Sequence, residues 1–309
     1  MIAALNTLIA AVEERPTAGP DLDVIAARAG TTAYHLRRMF SSLTGMPLSE
    51  YVRRRRMTLA AAEVQGGAPL LEVAVRYGYG SAEAFGRAFR AVHGASPGEV
   101  RRAGGPLRTQ SRIRLRLTVE GNTAMDARIV ERPAFRLAGH AARVPLIHRG
   151  INPHIQAHIA ALPAQEHARL RALGDGEPAG LLQVSDDVDP DFTEGSELTY
   201  LHGVALGAAT RAPDDLDVLE VAAGSWVVFR ASGPYPAALQ ECYAASAAEW
   251  FPSTSWCLRP GPSIVAVLER SEDFRTATTE LWLPVERGER RDAARAGRGA
   301  ERGAADAER

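Results

Sequence analysis

The sequence predicts a protein of two domains that belong to different fold classes, an all-α domain followed by an α+β domain. The chain has 309 residues, of which 46% are hydrophobic, and this is enough to bury two separate cores. A pattern of short amphipathic helices occurs twice before residue 105. After residue 125, strand-like and helix-like segments alternate in two sets that follow the same order.

The all-α prediction depends on an internal repeat between residues 25–47 and residues 73–97. Gly30 recurs 48 residues later as Gly78, and Arg38 and Phe40 each recur 49 residues later. Each copy reads as a short helix, a turn at glycine, a second helix that begins after Thr or Ser, and a glycine stop. We therefore expect a helix-turn-helix unit in each copy.

The second helix of each unit has an apolar face and an open face. Apolar side chains spaced three and four residues apart predict the buried side, and Thr32 and Ser81 are the predicted N-caps. The predicted open positions are Ala33, Tyr34, Arg37, Arg38 and Ser41 in the first copy and Ala82, Glu83, Gly86, Arg87 and Arg90 in the second. Each open face carries arginine.

Charge is distributed unevenly along a chain whose net charge is only -1. Residues 1–120 hold 17 Arg against 10 acids (+7), whereas residues 121–285 hold 12 against 21 (-9). An exposed helix with arginine suits the major groove, where Arg bonds guanine O6 and N7 together. A single such helix is more often a solvated face, but two copies in a basic segment favour DNA binding.

The segment between the two copies contains four consecutive arginines, at positions 53–56. Four successive positions cannot lie on one face of a helix, so some of these arginines must face sideways or inward. We expect a helix that fixes the spacing of the two units and whose arginines bind phosphates. If the units enter successive major grooves, they are about 34 Å apart.

These residues resemble the AraC-type transcriptional regulators, and the resemblance covers roughly residues 5–103. The carriers are IAARAG, HLRRMF, TGMPLSEYVRRRRM and EVAVRYGYGSAEAFGRAFRAVHGASP. The resemblance implies base contacts from Tyr34, Arg37 and Arg38 in the first unit and from Ala82, Glu83, Gly86 and Arg87 in the second. Because Ala and Gly offer no polar side chain to a base, we expect the first unit to determine most of the sequence preference.

A Gly-Gly-Pro sequence ends the predicted DNA-binding domain, residues 1–105, and begins a linker, residues 106–124. Within the linker, SRIRLRLTVE alternates apolar and basic residues. This alternation is typical of an amphipathic strand, and a basic segment that contacts DNA is the competing interpretation.

Residues 125–285 form the predicted α+β domain. MDARIVERPAFRLAGHAARV, GLLQVS and ELTYLHGVAL are predicted strands, with a helix that begins near Asn152. A second set follows, in which LDVLEVAAGSWVVFRASG, SIVAVLE and TTELWLPV are strands and YPAALQECYAASAAEWF is a helix. Two similar halves of this kind indicate a sheet backed by helices.

These stretches resemble the GyrI-like effector-binding domain, which implies a cleft between the two halves for a hydrophobic, often cationic small molecule. The candidate wall residues are Tyr200, Trp226, Phe229, Trp250 and Trp256, although large aromatic residues in strands are usually core residues. The buried glutamate that the resemblance implies falls at Ile264, and Glu269 is the nearest acid. This substitution weakens the expectation of a cationic ligand.

Other features of the sequence carry weaker expectations. His154 and His158 have the spacing of two metal ligands on one helix face, but no acid or cysteine pattern completes a site, so no metal or other cofactor is expected. The acidic stretch SDDVDPDFTEGSE is expected to be a solvated loop. Residues 286–309 are low in apolar residues and are expected to be disordered.

The sequence contains two cysteines and no apolar run of membrane-spanning length, so we expect a cytoplasmic protein without membrane contact. Its expected function is transcription regulation by binding a double-stranded DNA operator. A hydrophobic or aromatic effector alters how the first domain contacts DNA or RNA polymerase. Two alternatives stay open: the second domain retains hydrolase activity on a strained small molecule, or it is vestigial on a constitutive DNA binder.

Overall fold

The computed structural model describes residues 1–104, 107–116, 125–147 and 151–288. Strand β9, defined below, ends at Arg287, two residues beyond the predicted end of the second domain. The rest of the predicted disordered tail, from residue 289, lies outside the described residues.

The first 104 residues are helical. The helices are α1 (Ile2–Glu14), α2 (Leu22–Arg28), α3 (Ala33–Thr44), α4 (Leu48–Gln65), α5 (Leu70–Arg76), α6 (Ala82–His93) and α7 (Pro97–Ala103). Both predicted N-caps are confirmed, because the Thr32 hydroxyl accepts the amide of His35 and the Ser81 hydroxyl accepts the amide of Ala84, each at 3.1 Å. Helices α3 and α6 both end at a glycine in the left-handed region.

The two helix-turn-helix units are α2 with α3 and α5 with α6, and α4 lies between them. The second unit has a core of its own with α4, in which Met57, Phe85 and Phe89 are fully buried. The first unit shares a core with the second domain, as described below.

The four arginines of α4 bind other groups of the chain. Arg53 and Arg54 pair with Glu50, and Arg55 binds the carboxylate of Glu13. Arg56 donates to backbone carbonyls of the loop that follows α1. The expectation that these arginines bind phosphates is therefore wrong for Arg55 and Arg56 in this structure, because the chain itself supplies their acceptors.

The described part of the linker, residues 107–116, forms no strand and lies along helices α1 and α4. The side chain of Asn6 donates to the carbonyl of Leu115 at 2.9 Å and accepts the amide of Leu115 at 3.0 Å. The amide of Ile113 donates to the hydroxyl of Tyr51 at 3.3 Å. Ile113 and Leu115 of the alternating pattern are half-buried, whereas Leu117 and Val119 lie outside the described residues. The backbone of Ile113 and Leu115 forms hydrogen bonds with side chains rather than with a neighbouring strand.

The second domain contains a sheet with helices on one face. Its strands are β1 (Ala127–Arg132), β2 (Phe135–Pro145), β3 (Leu181–Asp186), β4 (Glu197–Leu206), β5 (Asp217–Val221), β6 (Gly224–Pro234), β7 (Trp256–Leu258), β8 (Ser263–Arg270) and β9 (Thr276–Arg287). Its helices are α8 (Pro153–Ala161), α9 (Ala164–Leu173), α10 (Ala237–Ala245) and α11 (Phe251–Ser253), with a π-helical turn at Ser246–Trp250. The predicted strand and helix segments are confirmed.

The described strands form one antiparallel sheet in the order β1-β6-β9-β8-β3-β4-β2-β5, and β7 pairs with β9. The two predicted halves are β1 to β4 and β5 to β9. Each half contributes its first strand to the other, because β1 pairs with β6 and β5 pairs with β2. Strands β3 and β8 pair at the junction of the two halves. The halves are thus interlocked as well as adjacent.

The first helix-turn-helix unit packs onto the helical face of this sheet. Leu8 and Phe40 belong to the same cluster of buried side chains as Phe229 and Leu281. All four have at most 1% of their surface exposed, so apolar contacts cross the domain boundary without a break. The expectation that each domain buries its own core is therefore wrong for the first unit.

Replacing Phe229 by alanine will destabilise both domains together. We expect the free energy of unfolding to fall by about 3–5 kcal/mol, since a large aromatic side chain leaves a cavity in a closed core. Urea unfolding followed by helical circular dichroism and by tryptophan fluorescence will measure this loss. Val75→Ala, at a side chain with 65% exposure, is the control and will change the free energy by less than about 0.5 kcal/mol. An unchanged helical transition in Phe229→Ala would contradict the shared core.

Candidate DNA-reading surface and effector cleft

The second reading helix, α6, presents the open face that the sequence predicts. Glu83, Arg87 and Arg90 are exposed, and Arg90 forms an ion pair with Glu99 at 3.2 Å. Ala82 and Gly86 lie beside them on the same face. The pKa of Glu83 is lowered by hydrogen bonds from its own backbone amide and from Ser81 at the start of the helix. Glu83 therefore stabilises this helix terminus, whatever else it contacts.

The first reading helix, α3, is covered by the second domain. Arg37 lies with its Nε atom 3.2 Å from the Oδ1 atom of Asp191. The guanidinium carbon of Arg38 lies 3.4 Å from the centre of the Phe192 ring. Burial lowers the pKa of Arg38, and its Nε atom has no hydrogen-bond partner within the described part of the chain. A cation stacked in this way on an aromatic ring is removed from the groove of any DNA.

The prediction of an open face on α3 is thus wrong for this structure. Tyr34 is half-buried in the shared core, and Ser41 is buried with 9% exposure. Arg37 and Arg38 are half-buried against the second domain, and Ala33 is half-buried at the start of the helix. Helical periodicity identifies the polar side of α3 correctly, but a polar loop of the second domain lies over it. Whether these residues bind DNA stays a prediction.

Polar contacts also hold the second domain against α3 and the turn that precedes it. The backbone amide of Leu258 in β7 donates to Nδ1 of His35 at 2.9 Å, and the His35 ring meets the Phe251 ring edge-on at 5.0 Å between centroids. The hydroxyl of Thr31 and the thiol of Cys257 share a hydrogen bond of 3.1 Å. Burial lowers the pKa of His35 to about 3, so His35 is neutral at this contact near pH 7.

A cleft of about 210 Å³ lies on the helical face of the sheet, where β3 and β8 meet. Its lining comes from both halves of the domain, as the resemblance to the GyrI-like domain implies for an effector site. The lining residues are Ile159, His167, Arg171, Leu181, Gln183, His202, Val267, Leu268, Glu269, Arg270 and Phe274. Glu269, the nearest acid in the sequence analysis, is among them.

The polar groups of this effector cleft carry more positive than negative charge. His167 and His202 share a hydrogen bond of 3.2 Å, and burial lowers the pKa of His202 to about 4. Burial, together with the charges of Arg171 and Arg270, also lowers the pKa of His167. Both histidines are therefore neutral near pH 7, and two arginines face one glutamate around the cleft.

Comparison with known proteins finds a matching family model for the helical domain and another for the sheet domain. A model of the helix-turn-helix domain matches residues 25–103, and a model of the GyrI-like small molecule binding domain matches residues 125–286, more than half of the chain. The chain is an AraC-type transcriptional regulator with a GyrI-like domain.

Similar proteins match different parts of this AraC-type regulator. The transcriptional activator AarP of Providencia stuartii is 37% identical over 94 residues, which are 30% of this chain and 70% of AarP. The regulatory protein SoxS of Salmonella typhimurium is 35% identical over 98 residues, which are 31% of this chain and 92% of SoxS. A solved structure of SAV2435 bound to tetraphenylphosphonium is 20% identical, with a TM-score of 0.40, and covers 52% of this chain and 94% of that protein.

The aromatic residues proposed as effector walls do not line the cleft of the GyrI-like domain. Tyr200 is buried with Val144 and Leu198 beneath α8. Phe229 and Trp250 pack on each other, with ring centres 5.3 Å apart, in the shared core. The remaining proposed residues, Trp226, Trp256 and Ile264, are also absent from the cleft. The structure brings the six residues to three separate clusters of side chains, so they do not form one common ligand site.

A buried carboxylate of the GyrI-like domain was missed by sequence reasoning. Ile264 is fully buried and pairs with Trp282 on the face of the sheet opposite the helices. Glu280 lies on that same face, with 8% exposure, and accepts a hydrogen bond from the Trp282 indole at 3.1 Å. The guanidinium of Arg128 forms an ion pair with the Glu280 carboxylate, with a nitrogen–oxygen distance of 2.8 Å. The alternation in TTELWLPV, which puts Glu280 and Trp282 on one side, was the available signal.

The histidines considered as metal ligands have other neighbours. His154 is exposed, and His158 donates to the backbone carbonyl of His140 at 3.0 Å. Among the described residues, no group of three or more His, Cys, Asp or Glu side chains could hold a metal ion. None of the helices in the described ranges combines the length and hydrophobicity that a membrane crossing requires.

Acid will weaken the contact made by His35. Because its folded pKa of about 3 lies below the unfolded value, the unfolded state binds more protons between these values and stability falls as pH falls below about 6.5. From pH 7 to pH 5 we expect His35 to account for a loss of about 2 kcal/mol.

Urea unfolding of His35→Gln at the two pH values will test this assignment. Gln keeps an acceptor for the Leu258 amide and cannot be protonated, so the variant will lose less stability than the wild type on acidification. His154→Gln, at an exposed position, will behave as the wild type. Equal losses in His35→Gln and the wild type would show that His35 does not contribute to acid sensitivity.

Proposed function

We propose that this regulator binds its operator mainly through α3 and responds to an aromatic small molecule in the effector cleft. The predicted division into residues 1–105, 106–124, 125–285 and 286–309 belongs to this proposal. So do a cytoplasmic location and an effect on contacts with DNA or RNA polymerase. The observation that carries the proposal is a basic double helix-turn-helix domain joined to a sheet domain whose two halves enclose a cleft.

The chemistry of the two reading helices supports the first unit as the specific reader. Tyr34, Arg37 and Arg38 on α3 have side chains that can bond or stack on base edges. On α6, only Glu83 and Arg87 among the implied base-contacting positions have polar side chains, and Glu83 is already bonded to its own helix terminus. The second unit therefore supplies phosphate contacts and register more than base discrimination.

The charges of the cleft indicate the class of effector. Val267, Leu268 and Phe274 supply apolar surface for a flat ring. Arg171 and Arg270 outnumber the single acid, Glu269, and the histidine pair is neutral. The buried acid Glu280 lies outside the cleft and is already paired with Arg128, so Glu269 is the one acidic residue of the described lining that a cationic ligand can meet. We therefore propose an aromatic effector that carries a carboxylate or a similar acceptor.

Binding without turnover is part of the proposed function. The described lining of the cleft contains no cysteine, serine or threonine nucleophile, and the His167–His202 pair has no carboxylate orienting it in the cleft. Incubation of the protein with a bound compound, followed by mass spectrometry of the compound, tests this point. Recovery of the intact compound is expected, and its hydrolysis would favour the hydrolase alternative.

Selection of duplexes from a random pool by the purified protein will yield an operator that depends on Arg38. In Arg38→Ala we expect the preference for the selected duplex over one substituted at the first half-site to fall at least about tenfold, since a bidentate Arg–guanine contact discriminates by about 1–3 kcal/mol. Competition binding at fixed salt measures this preference. Arg87→Ala, at the equivalent position of α6, is the matched control. A greater loss of preference in Arg87→Ala would make the second unit the main reader.

A matched pair of ligands will reveal the preferred charge in the cleft. We expect 2-naphthoate to bind about tenfold more tightly than naphthalene-2-carboxamidine, a difference of about 1.4 kcal/mol, because the two planar substituents are similar in size and only the carboxylate can accept hydrogen bonds from Arg171 and Arg270. Calorimetric titration at low salt will show it. The double variant Arg171→Gln, Arg270→Gln will lose the preference, and Arg211→Gln, whose arginine pairs with Asp214 outside the cleft, will keep it. Tighter binding of the amidine would overturn the proposed effector class.

A further inference from the structure

The contact that covers α3 comes largely from one acidic segment of the GyrI-like domain. Residues 187–196 form the loop between β3 and β4, here called the acidic loop. Residues 186–197, which include its two flanking strand ends, contain six Asp or Glu residues and no arginine. Asp191 and Phe192, in the middle of this loop, contact the two adjacent arginines of α3. A negatively charged surface therefore lies where the sequence predicts a DNA contact.

The acidic loop has a defined conformation. Its Asp189 carboxylate accepts the amides of Asp191 at 3.1 Å and Thr193 at 3.3 Å, and the Asp189 carbonyl accepts the amide of Phe192 at 2.8 Å. Phe192 adopts a φ of 55°, in the left-handed region that a bulky side chain rarely occupies and that costs of order 1–3 kcal/mol. The loop thus holds the Phe192 ring over Arg38 even though the backbone conformation of Phe192 is unfavourable.

DNA and the acidic loop require the same atoms of α3. A bidentate contact with guanine uses two nitrogens of one guanidinium plane and needs the helix inside the major groove. In this structure the face of the Arg38 guanidinium is stacked on Phe192, and β7 together with the helices that follow α10 lies against the same helix. A duplex cannot enter this space while the second domain occupies it.

We infer that the acidic loop is an intramolecular ligand of the first reading helix and that it competes with DNA for Arg37 and Arg38. This inference rests on the proposed function and adds a regulatory state to it. In the closed state, which is the state of this structure, only α6 presents an open reading face. Specific binding through α3 requires the GyrI-like domain to move away from it.

The closed state holds its cations under less favourable conditions than DNA offers. Among the described residues no ion pair forms with Arg38, and its Nε atom is buried without a hydrogen-bond partner there. Guanine and phosphate oxygens would satisfy such donors. The apolar contacts of the shared core oppose opening, so the loop and DNA compete over a limited difference in free energy. An acidic surface can thereby act on a DNA-binding helix without binding it irreversibly.

A disulfide across the interface tests the inference directly. Thr31 of the first unit lies with its hydroxyl 3.1 Å from the thiol of Cys257 in β7, so Thr31→Cys places two sulfur atoms close to bonding distance. Oxidation forms one S–S bond from two thiols, and the added oxidant accepts the two electrons and two protons. We expect the oxidised protein to bind the selected duplex at least about tenfold more weakly, a change of about 1.4 kcal/mol, and dithiothreitol to restore binding.

The matched control is the double variant Thr31→Cys, Cys257→Ser, in which oxidation will leave DNA binding unchanged. Free-thiol titration will verify the bond, since the only other cysteine, Cys242, is buried. Equal binding by the oxidised and reduced Thr31→Cys protein would overturn the inference. Failure of the two cysteines to form a disulfide under oxidant would also overturn it, because the closed contact would then be absent in solution.

Substitutions in the acidic loop provide an independent test. Asp191→Asn and Phe192→Ala will each raise the affinity for the selected duplex severalfold, because each removes a contact made only in the closed state. Asp187→Asn removes the same charge from the same loop, but Asp187 pairs with Arg143 at 2.6 Å, so this variant will bind as the wild type. An equal gain in Asp187→Asn would assign the effect to general repulsion of DNA and would contradict the inference.

These outcomes separate the inference from the function on which it rests. If the full-length protein selects no duplex in either redox state, the proposed function fails. If it selects a duplex and the locked and unlocked proteins bind that duplex equally, the proposed function stands and only the competition by the acidic loop fails.

Discussion

The contact between the two domains buries one cation, the guanidinium of Arg38, against the ring of Phe192. Removing a guanidinium from water is unfavourable unless other groups compensate it. Here the ring face, the neighbouring ion pair between Arg37 and Asp191, and a continuous apolar core supply that compensation. Because the compensation comes from the GyrI-like domain, the chemistry that suits α3 for DNA also attaches it to the sensor.

Local features of the fold were predictable because local chemistry determines them. Thr32 and Ser81 cap their helices, and the strands of the second domain follow the alternation of the sequence. The cover on α3 was not predictable, since periodicity shows which side of a helix is polar and not which distant segment lies on it. The acidic loop was expected to be solvated because its composition is typical of a solvent-exposed segment. Its one large apolar residue, Phe192, was the available signal.

The candidate effector residues also show that a sequence pattern does not reveal which distant segments come into contact. Large aromatic side chains suit a ligand wall and a core equally well, and Trp226 and Phe229 proved to be core residues with no exposed surface. The cleft instead contains His167, Gln183 and His202, which sequence reasoning did not select. They are close together because β3 pairs with β4, which places Gln183 opposite His202, and because α9 brings His167 to within 3.2 Å of His202.

The position of the cleft gives a physical route from effector to DNA. Strand β3 contributes Gln183 to the cleft and ends at the acidic loop, and β4 begins after that loop and contributes His202. A ligand that shifts β3 or β4 therefore acts directly on one end of the segment that holds Asp191 and Phe192. A ligand changes DNA binding only if its affinity differs between the closed and open states. Contacts with β3 and β4 are the ones that can differ, because these strands carry the loop that separates from α3.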